Sequence, residues 1–108
     1  MATKANINID QGTDFNTEID LSDEAGNPLS LDQYTGKAQI RRWYTSANAV
    51  DFGVQLETGK IYLTMNSATT SSLDKERYMY DVILIDQHDV VTRVVEGLVQ
   101  VNPRVTEP

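Results

Sequence analysis

A two-residue alternation of apolar and polar side chains runs through most of this chain and constrains its fold more than any other feature. The alternation is clear in segments 6–10, 15–21 and 37–44, and two longer, more apolar segments, 78–85 and 90–101, have the length and composition of strands. Successive side chains of a β-strand point to opposite faces of its sheet, so each segment is predicted to be a strand. Apolar residues occupy both faces of segment 78–85, and we therefore expect this strand to lie centrally in a sheet.

Turn-forming residues separate the predicted strands at intervals of about 8–12 residues. Two further strands are predicted at 50–56 and 61–65, joined by a hairpin turn at 57–60. The only predicted helix covers 66–73, where Asn66 can act as the N-cap and mostly poor helix formers limit the helix to two turns. The chain is therefore expected to be all-β, with at most one short helical turn.

About seven strands with no alternation of strands and helices indicate an antiparallel, immunoglobulin-like β-sandwich. At 108 residues a single domain spanning 1–108 is expected. An oligonucleotide-binding barrel is the rival architecture, but such a barrel usually presents a basic, aromatic groove.

The charge balance excludes several classes of partner. The formal net charge is −7, from 16 acidic and nine basic residues, which disfavours nucleic acid and anionic membrane as partners. The charge is uneven along the sequence: residues 1–36 carry a net charge of −6, whereas residues 37–65 carry +2. A domain with an acidic end and a basic strand can dock head-to-tail on its own copies or on a complementary partner. No apolar run approaches the roughly 18 residues that a membrane span requires.

No set of residues in the sequence suggests catalysis or a cofactor. The chain has one histidine and no cysteine, which excludes two-histidine metal sites and thiolate chemistry. His88 lies in a predicted hairpin tip, where a Ser-His-Asp triad would lack its buried carboxylate. Asp20, Asp23 and Glu24 invite a calcium hypothesis, but the EF-hand spacing is absent and turn formation explains them. The sequence therefore predicts no catalytic, cofactor or metal residues, and whether calcium or a glycan binds is left open.

Two adjacent aromatic residues follow two arginines in the third long strand. Neighbouring strand residues face opposite sides, so one of Trp43 and Tyr44 is expected to point outward beside Arg41 or Arg42. Exposed aromatic and arginine side chains are typical of an interface anchor, and an exposed aromatic ring also suits a carbohydrate platform. Burial of Trp43 in the core is the third interpretation.

The last predicted strand contains a charged pair within an apolar run. Arg93 and Glu96 are expected to be satisfied by cross-strand pairing with Asp81 or Arg41 rather than to act in catalysis.

Five segments of the chain carry a resemblance to a known family: INIDQGTDF at 7–15, DEAGNPL at 23–29, YTGKAQIR at 34–41, RYMYDV at 77–82 and RVVEG at 93–97. They are similar to segments of small virion structural proteins of tailed, cyanophage-like bacteriophages and of the N-terminal domain of phage baseplate upper proteins. The resemblance spans almost the whole chain and implies an immunoglobulin-like β-sandwich that builds the virion and is not an enzyme. It implies a location in the virion after synthesis in the host cytoplasm, either on the baseplate or tail or as capsid decoration.

This resemblance leads us to expect other virion structural proteins, and a homo-oligomer, as partners. Docking is expected through the 41–44 face, through the strand Asn6–Asp10 and through the tail Val101–Pro108, the last two by strand addition. The predicted interface residues are Ile7, Ile9, Arg41, Arg42, Trp43, Tyr44 and Arg104. The alternative from another class is a small carbohydrate-binding module that uses Trp43, Tyr44 or Tyr62.

Overall fold

The computed structural model describes residues 3–22, 25–43 and 49–105. Over these ranges the chain forms nine strands and one short helix. The elements are β1 Thr3–Lys4, β2 Ile7–Asp10, β3 Phe15–Asp20, β4 Thr35–Arg41, β5 Val50–Asp51, β6 Gly53–Glu57, β7 Lys60–Met65, α1 Ser67–Thr70, β8 Arg77–Ile85 and β9 Val91–Asn102. Seven of the strands have four residues or more, which agrees with the predicted number of about seven.

The strands form two sheets that pack face to face. The larger sheet has the order β1-β9-β8-β4-β5, with β2 following β1 along the same edge of β9. The smaller sheet has the order β3-β7-β6. Between them lies one core, to which Ile9, Ile61, Leu63 and Val82 contribute side chains with no exposed surface. The fold is an immunoglobulin-like β-sandwich. The prediction of an all-β sandwich is confirmed, and so is the central position of strand 78–85, which becomes β8.

The predicted strand 50–56 is divided between the two sheets. Val50–Asp51 pairs with β4 in the larger sheet, whereas Gly53–Glu57 pairs with β7 in the smaller one. Phe52 lies at the crossing, where its backbone N–H donates to the Ala38 carbonyl at 3.0 Å and its ring packs in the core. The prediction of one continuous strand is therefore wrong, because a buried aromatic residue anchors the chain as it passes from one layer to the other.

The N-terminal strands pair with the last strand of the same chain, and they do so in parallel. Ile7 lies opposite Val99 and Ile9 lies opposite Val101. The two segments expected to add to a neighbour, 6–10 and 101–108, thus pair with each other along part of their length. The side chains of Ile7 and Ile9 lie in the core, so the prediction that they form an interface is wrong. The two-residue alternation that predicts a strand at 6–10 also places both isoleucines on the buried face of that strand.

A close backbone contact holds the N-terminal segment against β9. The Ala5 backbone N–H donates to the Glu96 carbonyl at 2.9 Å, and the Tyr80 hydroxyl donates to the Ala5 carbonyl. The absence of a side chain at Gly97 makes this approach possible, because a Cβ there would lie 2.1 Å from the Ala5 carbonyl oxygen. Burial raises the pKa of Tyr80 to about 12, which keeps its hydroxyl protonated as a donor.

The predicted helix forms as a single turn, α1, and serves to fix a neighbouring turn. The Asn66 side chain accepts a hydrogen bond from the Thr69 backbone N–H at 2.8 Å, which confirms its role as the N-cap. The fully buried Thr70 hydroxyl donates to the Thr13 carbonyl at 2.8 Å and accepts from the Gly12 N–H at 3.0 Å. Across the described ranges no helix is long and apolar enough to cross a membrane.

Candidate docking face

The outer face of the larger sheet brings together side chains from three neighbouring strands. β8 pairs with β4 on one side and with β9 on the other. Arg41, Met79 and Leu98 stand in one row across these strands, and Gln39, Asp81 and Glu96 stand in the next row. Because the alternate residues of β8, including Tyr80 and Val82, point into the core, both rows face outward. We call this surface, with the rim formed by Arg42, Trp43 and Arg77, the Met79 face.

The Met79 face contains three adjoining shallow depressions, with volumes of about 360, 230 and 240 Å³. Met79 lines the first two of them, and Arg77 and Leu98 line the first and the third. The depressions therefore adjoin one another on this face.

Apolar side chains at the centre of the Met79 face remain in contact with solvent. Leu98 is 40% exposed and Trp43 is 56% exposed, and Met79 between them is half-buried. The Arg42 guanidinium lies 4.6 Å from the centroid of the Trp43 ring and also donates a hydrogen bond to the Arg77 carbonyl. The ring is thus held beside the sheet by a cation–π contact to an arginine that is itself fixed on β8.

An ion-pair network covers the other half of the Met79 face. Arg93 Nε lies 3.2 Å from Asp81 Oδ2, and Arg93 Nη1 lies 3.1 Å from Glu96 Oε2. The cross-strand pair of Arg93 with Asp81 that the sequence predicted is confirmed. Beside it, Arg41 donates to Gln39 Oε1 at 3.2 Å. Exposed pairs of this kind contribute about 0–1 kcal/mol each to stability, so their main effect is to order the charges that a partner would meet.

Basic residues are concentrated on the outer side of the larger sheet. Six of the nine bases lie there or at its rim, together with five acids, so the remainder of the sequence carries eleven acids and three bases. The six bases are Lys4, Lys37, Arg41, Arg42, Arg77 and Arg93. The five acids are Asp10, Asp51, Asp81, Glu96 and Glu76.

The outer face of the smaller sheet is acidic. Glu18, Asp20 and Glu57 stand there around Tyr62, with Lys60 as the one base among them, and we call this surface the Tyr62 face. A hydrogen bond and the charge of Glu18, 3.4 Å away, raise the pKa of the Lys60 ammonium group. The Tyr62 hydroxyl donates to Glu57 at 3.2 Å, and loss of hydration together with this bond raises the pKa of Tyr62. Both groups therefore keep their protons well into the alkaline range.

The structure brings three of the predicted interface residues to one surface. Arg41, Arg42 and Trp43 meet on the Met79 face, whereas Tyr44 lies outside the described residues. Trp43 is exposed, so the core interpretation of its indole ring is wrong.

Arg104 does not line the three depressions. It packs against Gly12, and its Nη1 donates to the Ser71 hydroxyl at 3.0 Å. The guanidinium is thus engaged by its own chain at the end of the sandwich that carries α1.

Sequence reasoning missed the residues that β8 and β9 contribute to the Met79 face, Arg77, Met79 and Leu98. Apolar residues on both faces of segment 78–85 were the one available signal, and they were interpreted as evidence for a central strand. His88 lies in an exposed turn, where its backbone N–H donates to Asp86 Oδ1 at 2.8 Å. Among the described residues, no group of three or more His, Cys, Asp or Glu side chains could hold a metal ion.

Comparison with known proteins gives similarity of fold. No protein-family model and no curated protein matches the chain. An internalin-like protein of Listeria monocytogenes superposes with a TM-score of 0.52 and 18% identity, over 94% of this chain and 28% of that one. The SrpA adhesin of Streptococcus sanguinis superposes with a TM-score of 0.50 and 8% identity, over 91% and 55% of the two chains. Murine CRIg gives a TM-score of 0.46 and 12% identity, over 93% and 92%.

At 18% and 8% identity, the superpositions on the internalin-like protein and on the SrpA adhesin show similarity of fold alone. The chain spans about a quarter of the internalin-like protein and about half of the adhesin chain.

Proposed function

We propose that this chain is a non-enzymatic structural protein of a bacteriophage virion, which docks on other virion subunits through the Met79 face. The sequence resemblance to small tailed-phage virion proteins supports the assignment to a virion. The single observation that supports docking is the exposed apolar centre of the Met79 face, formed by Trp43, Met79 and Leu98 and surrounded by arginines. An apolar centre within a polar, charged rim is the usual anatomy of a protein interface.

The surroundings of Trp43 favour a protein partner over a sugar. In carbohydrate modules an aromatic ring offers its face to the sugar, but one face of the Trp43 ring already carries the Arg42 guanidinium. Tyr62 lies on the opposite sheet, so Trp43 and Tyr62 cannot form one platform. A carbohydrate-binding module is therefore the second candidate, and a glycan array separates the two. Reproducible glycan hits that disappear in Trp43→Ala would favour the module.

The proposal covers a baseplate or tail subunit as well as a capsid decoration protein. Both would be present in many copies, and weak contacts by a small domain become strong through symmetry and avidity.

The decisive experiment measures incorporation into particles. Phage that encode the wild-type chain, Leu98→Asp or Val90→Asp are purified, and the amount of the chain per particle is measured by mass spectrometry. Leu98 and Val90 are both exposed, at 40% and 57%, but only Leu98 lies on the Met79 face. We expect Leu98→Asp to reduce incorporation at least tenfold and Val90→Asp to leave it unchanged. Absence of the wild-type chain from particles would refute the virion assignment, and equal incorporation of both variants would refute docking through the Met79 face.

A further inference from the structure

We propose that the partner of the Met79 face is a second copy of this chain, which presents its Tyr62 face. This inference rests on the proposed docking function and adds the identity of one partner. The contact would be head-to-tail, with the larger sheet of one copy against the smaller sheet of the next. Such heterologous contacts generate rings when the rotation closes and filaments when it does not.

The two faces carry charge of opposite sign. The Met79 face has four arginines, Arg41, Arg42, Arg77 and Arg93, against three acids, Glu76, Asp81 and Glu96. The Tyr62 face has the reverse balance, with three acids and one base around an aromatic side chain. Facing potentials of opposite sign steer association and fix the register of a contact.

The two faces cannot satisfy each other within one molecule. They are the outer surfaces of the two sheets, and the common core lies between them. Any neutralisation of one face by the other must therefore occur between copies.

Symmetric pairing is disfavoured by the same charges. Two Met79 faces placed together would bring four arginines and three acids from each copy into one interface, so both sides would carry an excess of positive charge. Two Tyr62 faces would bring together Glu18, Asp20 and Glu57 of both copies. Like charges juxtaposed at an interface are unfavourable, so the charges favour the head-to-tail arrangement.

The test is sedimentation velocity over a concentration series, at low and at high salt. Near 0.01 M salt the Debye length is about 30 Å, and near 1 M it is about 3 Å. We expect the average mass of the wild-type chain to rise with concentration at low salt and to remain that of the monomer at high salt. A chain that stays monomeric at every concentration at low salt would overturn the proposal.

Charge-reversal variants identify the two faces. Arg77→Glu on the Met79 face and Glu57→Lys on the Tyr62 face should each weaken association at least about tenfold. The matched controls Lys75→Glu and Asp32→Lys change the net charge equally, and we expect them to associate as the wild type does. The double variant Arg77→Glu/Glu57→Lys restores opposite signs and should recover at least part of the affinity.

Three other results would contradict the head-to-tail contact. The first is a loss of association in Arg77→Glu without a comparable loss in Glu57→Lys. The second is an equal loss in the control variants, and the third is no recovery of affinity in the double variant. None of them affects the proposed virion function, because incorporation into particles is measured separately. A chain that enters particles but never self-associates would refute only this inference, whereas absence from particles would refute the proposed function.

Discussion

Replacement of Gly97 by alanine should destabilise this protein, although glycine in a strand interior is normally the less stable choice. The usual effect of Gly→Ala at such a position is a gain of about 0.5–1 kcal/mol. Here the new Cβ would lie 2.1 Å from the Ala5 carbonyl oxygen and 2.8 Å from its carbon. Non-bonded carbon atoms prefer separations of about 3.5–4.0 Å, so the N-terminal backbone must retreat by roughly 1 Å.

That retreat would break two hydrogen bonds and loosen a core residue. The bonds are those from the Ala5 N–H to Glu96 and from the Tyr80 hydroxyl to Ala5, each worth about 1 kcal/mol. Looser packing of Ile7, which begins β2 two residues later, adds about 1 kcal/mol. We therefore expect Gly97→Ala to lower the free energy of unfolding by about 2–4 kcal/mol.

Urea unfolding followed by circular dichroism measures the total effect, and hydrogen exchange shows where it arises. Protection should fall first in segment 3–10 and in the part of β9 beside it. Gly26→Ala is the control, because its Cβ meets open space and only its φ of +86° introduces strain, which costs about 1–2 kcal/mol. Protection of β2 should survive in that control. A stabilised Gly97→Ala variant, or one with full protection of segment 3–10, would refute the reasoning.

Three further predictions concern single side chains. A tyrosine in an unfolded chain has a pKa of about 10, whereas burial raises the pKa of Tyr80 in the folded chain to about 12. The folded state therefore holds this proton more tightly, and the free energy of unfolding should fall by at most about 2.7 kcal/mol as the pH rises from about 10 to about 12. The protonated hydroxyl is the form that donates to the Ala5 carbonyl. The free energy of unfolding of Tyr80→Phe, measured in urea, should fall less steeply with pH over this range. An equal slope would contradict the role assigned to the Tyr80 hydroxyl. Thr70→Val should cost about 1–2 kcal/mol in thermal unfolding, because it removes the hydroxyl that bonds the half-buried Gly12 N–H and the Thr13 carbonyl. The exposed control Ser72→Ala should cost less than about 1 kcal/mol. Trp43→Ala should change stability by less than about 1 kcal/mol but reduce incorporation into particles at least tenfold; a large loss of stability would show that the indole is structural.

The layered sandwich was predictable because the two-residue period survives along nearly the whole sequence. Every segment with that period is a strand in the structure, apart from the end of 37–44, part of which lies outside the described residues. The N-cap at Asn66 and the hairpin at 57–60 were also predictable, since each depends on neighbouring residues alone.

The features that failed to be predicted depend on contacts between distant residues. The parallel pairing of Ile7–Asp10 with β9 joins opposite ends of the chain, and alternation gives no information about which strand will be the partner. The crossing at Phe52 depends on the Ala38 carbonyl and on the aromatic rings of the core. The irregularity of β9 lies between Val95 and Arg93, the partners of Val82 and Ile83, and the register of β8 against β9 is needed to locate it.

The residues of the candidate site were also predictable only in part. Arg41, Arg42 and Trp43 are adjacent in the sequence, so their joint character as an anchor could be predicted. Met79 and Leu98 lie far along the chain, and only the register of β4, β8 and β9 brings them to the same surface.

Hydroxyl-radical footprinting of the chain, free in solution and within purified particles, tests the central claim most directly. Trp and Met are among the side chains that such radicals oxidise fastest, and both Trp43 and Met79 lie on the Met79 face. We expect strong protection of these two residues in particles, with unchanged oxidation of Tyr34, which is exposed outside that face. Equal oxidation of Trp43 and Met79 in the free and the particle-bound chain would contradict docking through the Met79 face.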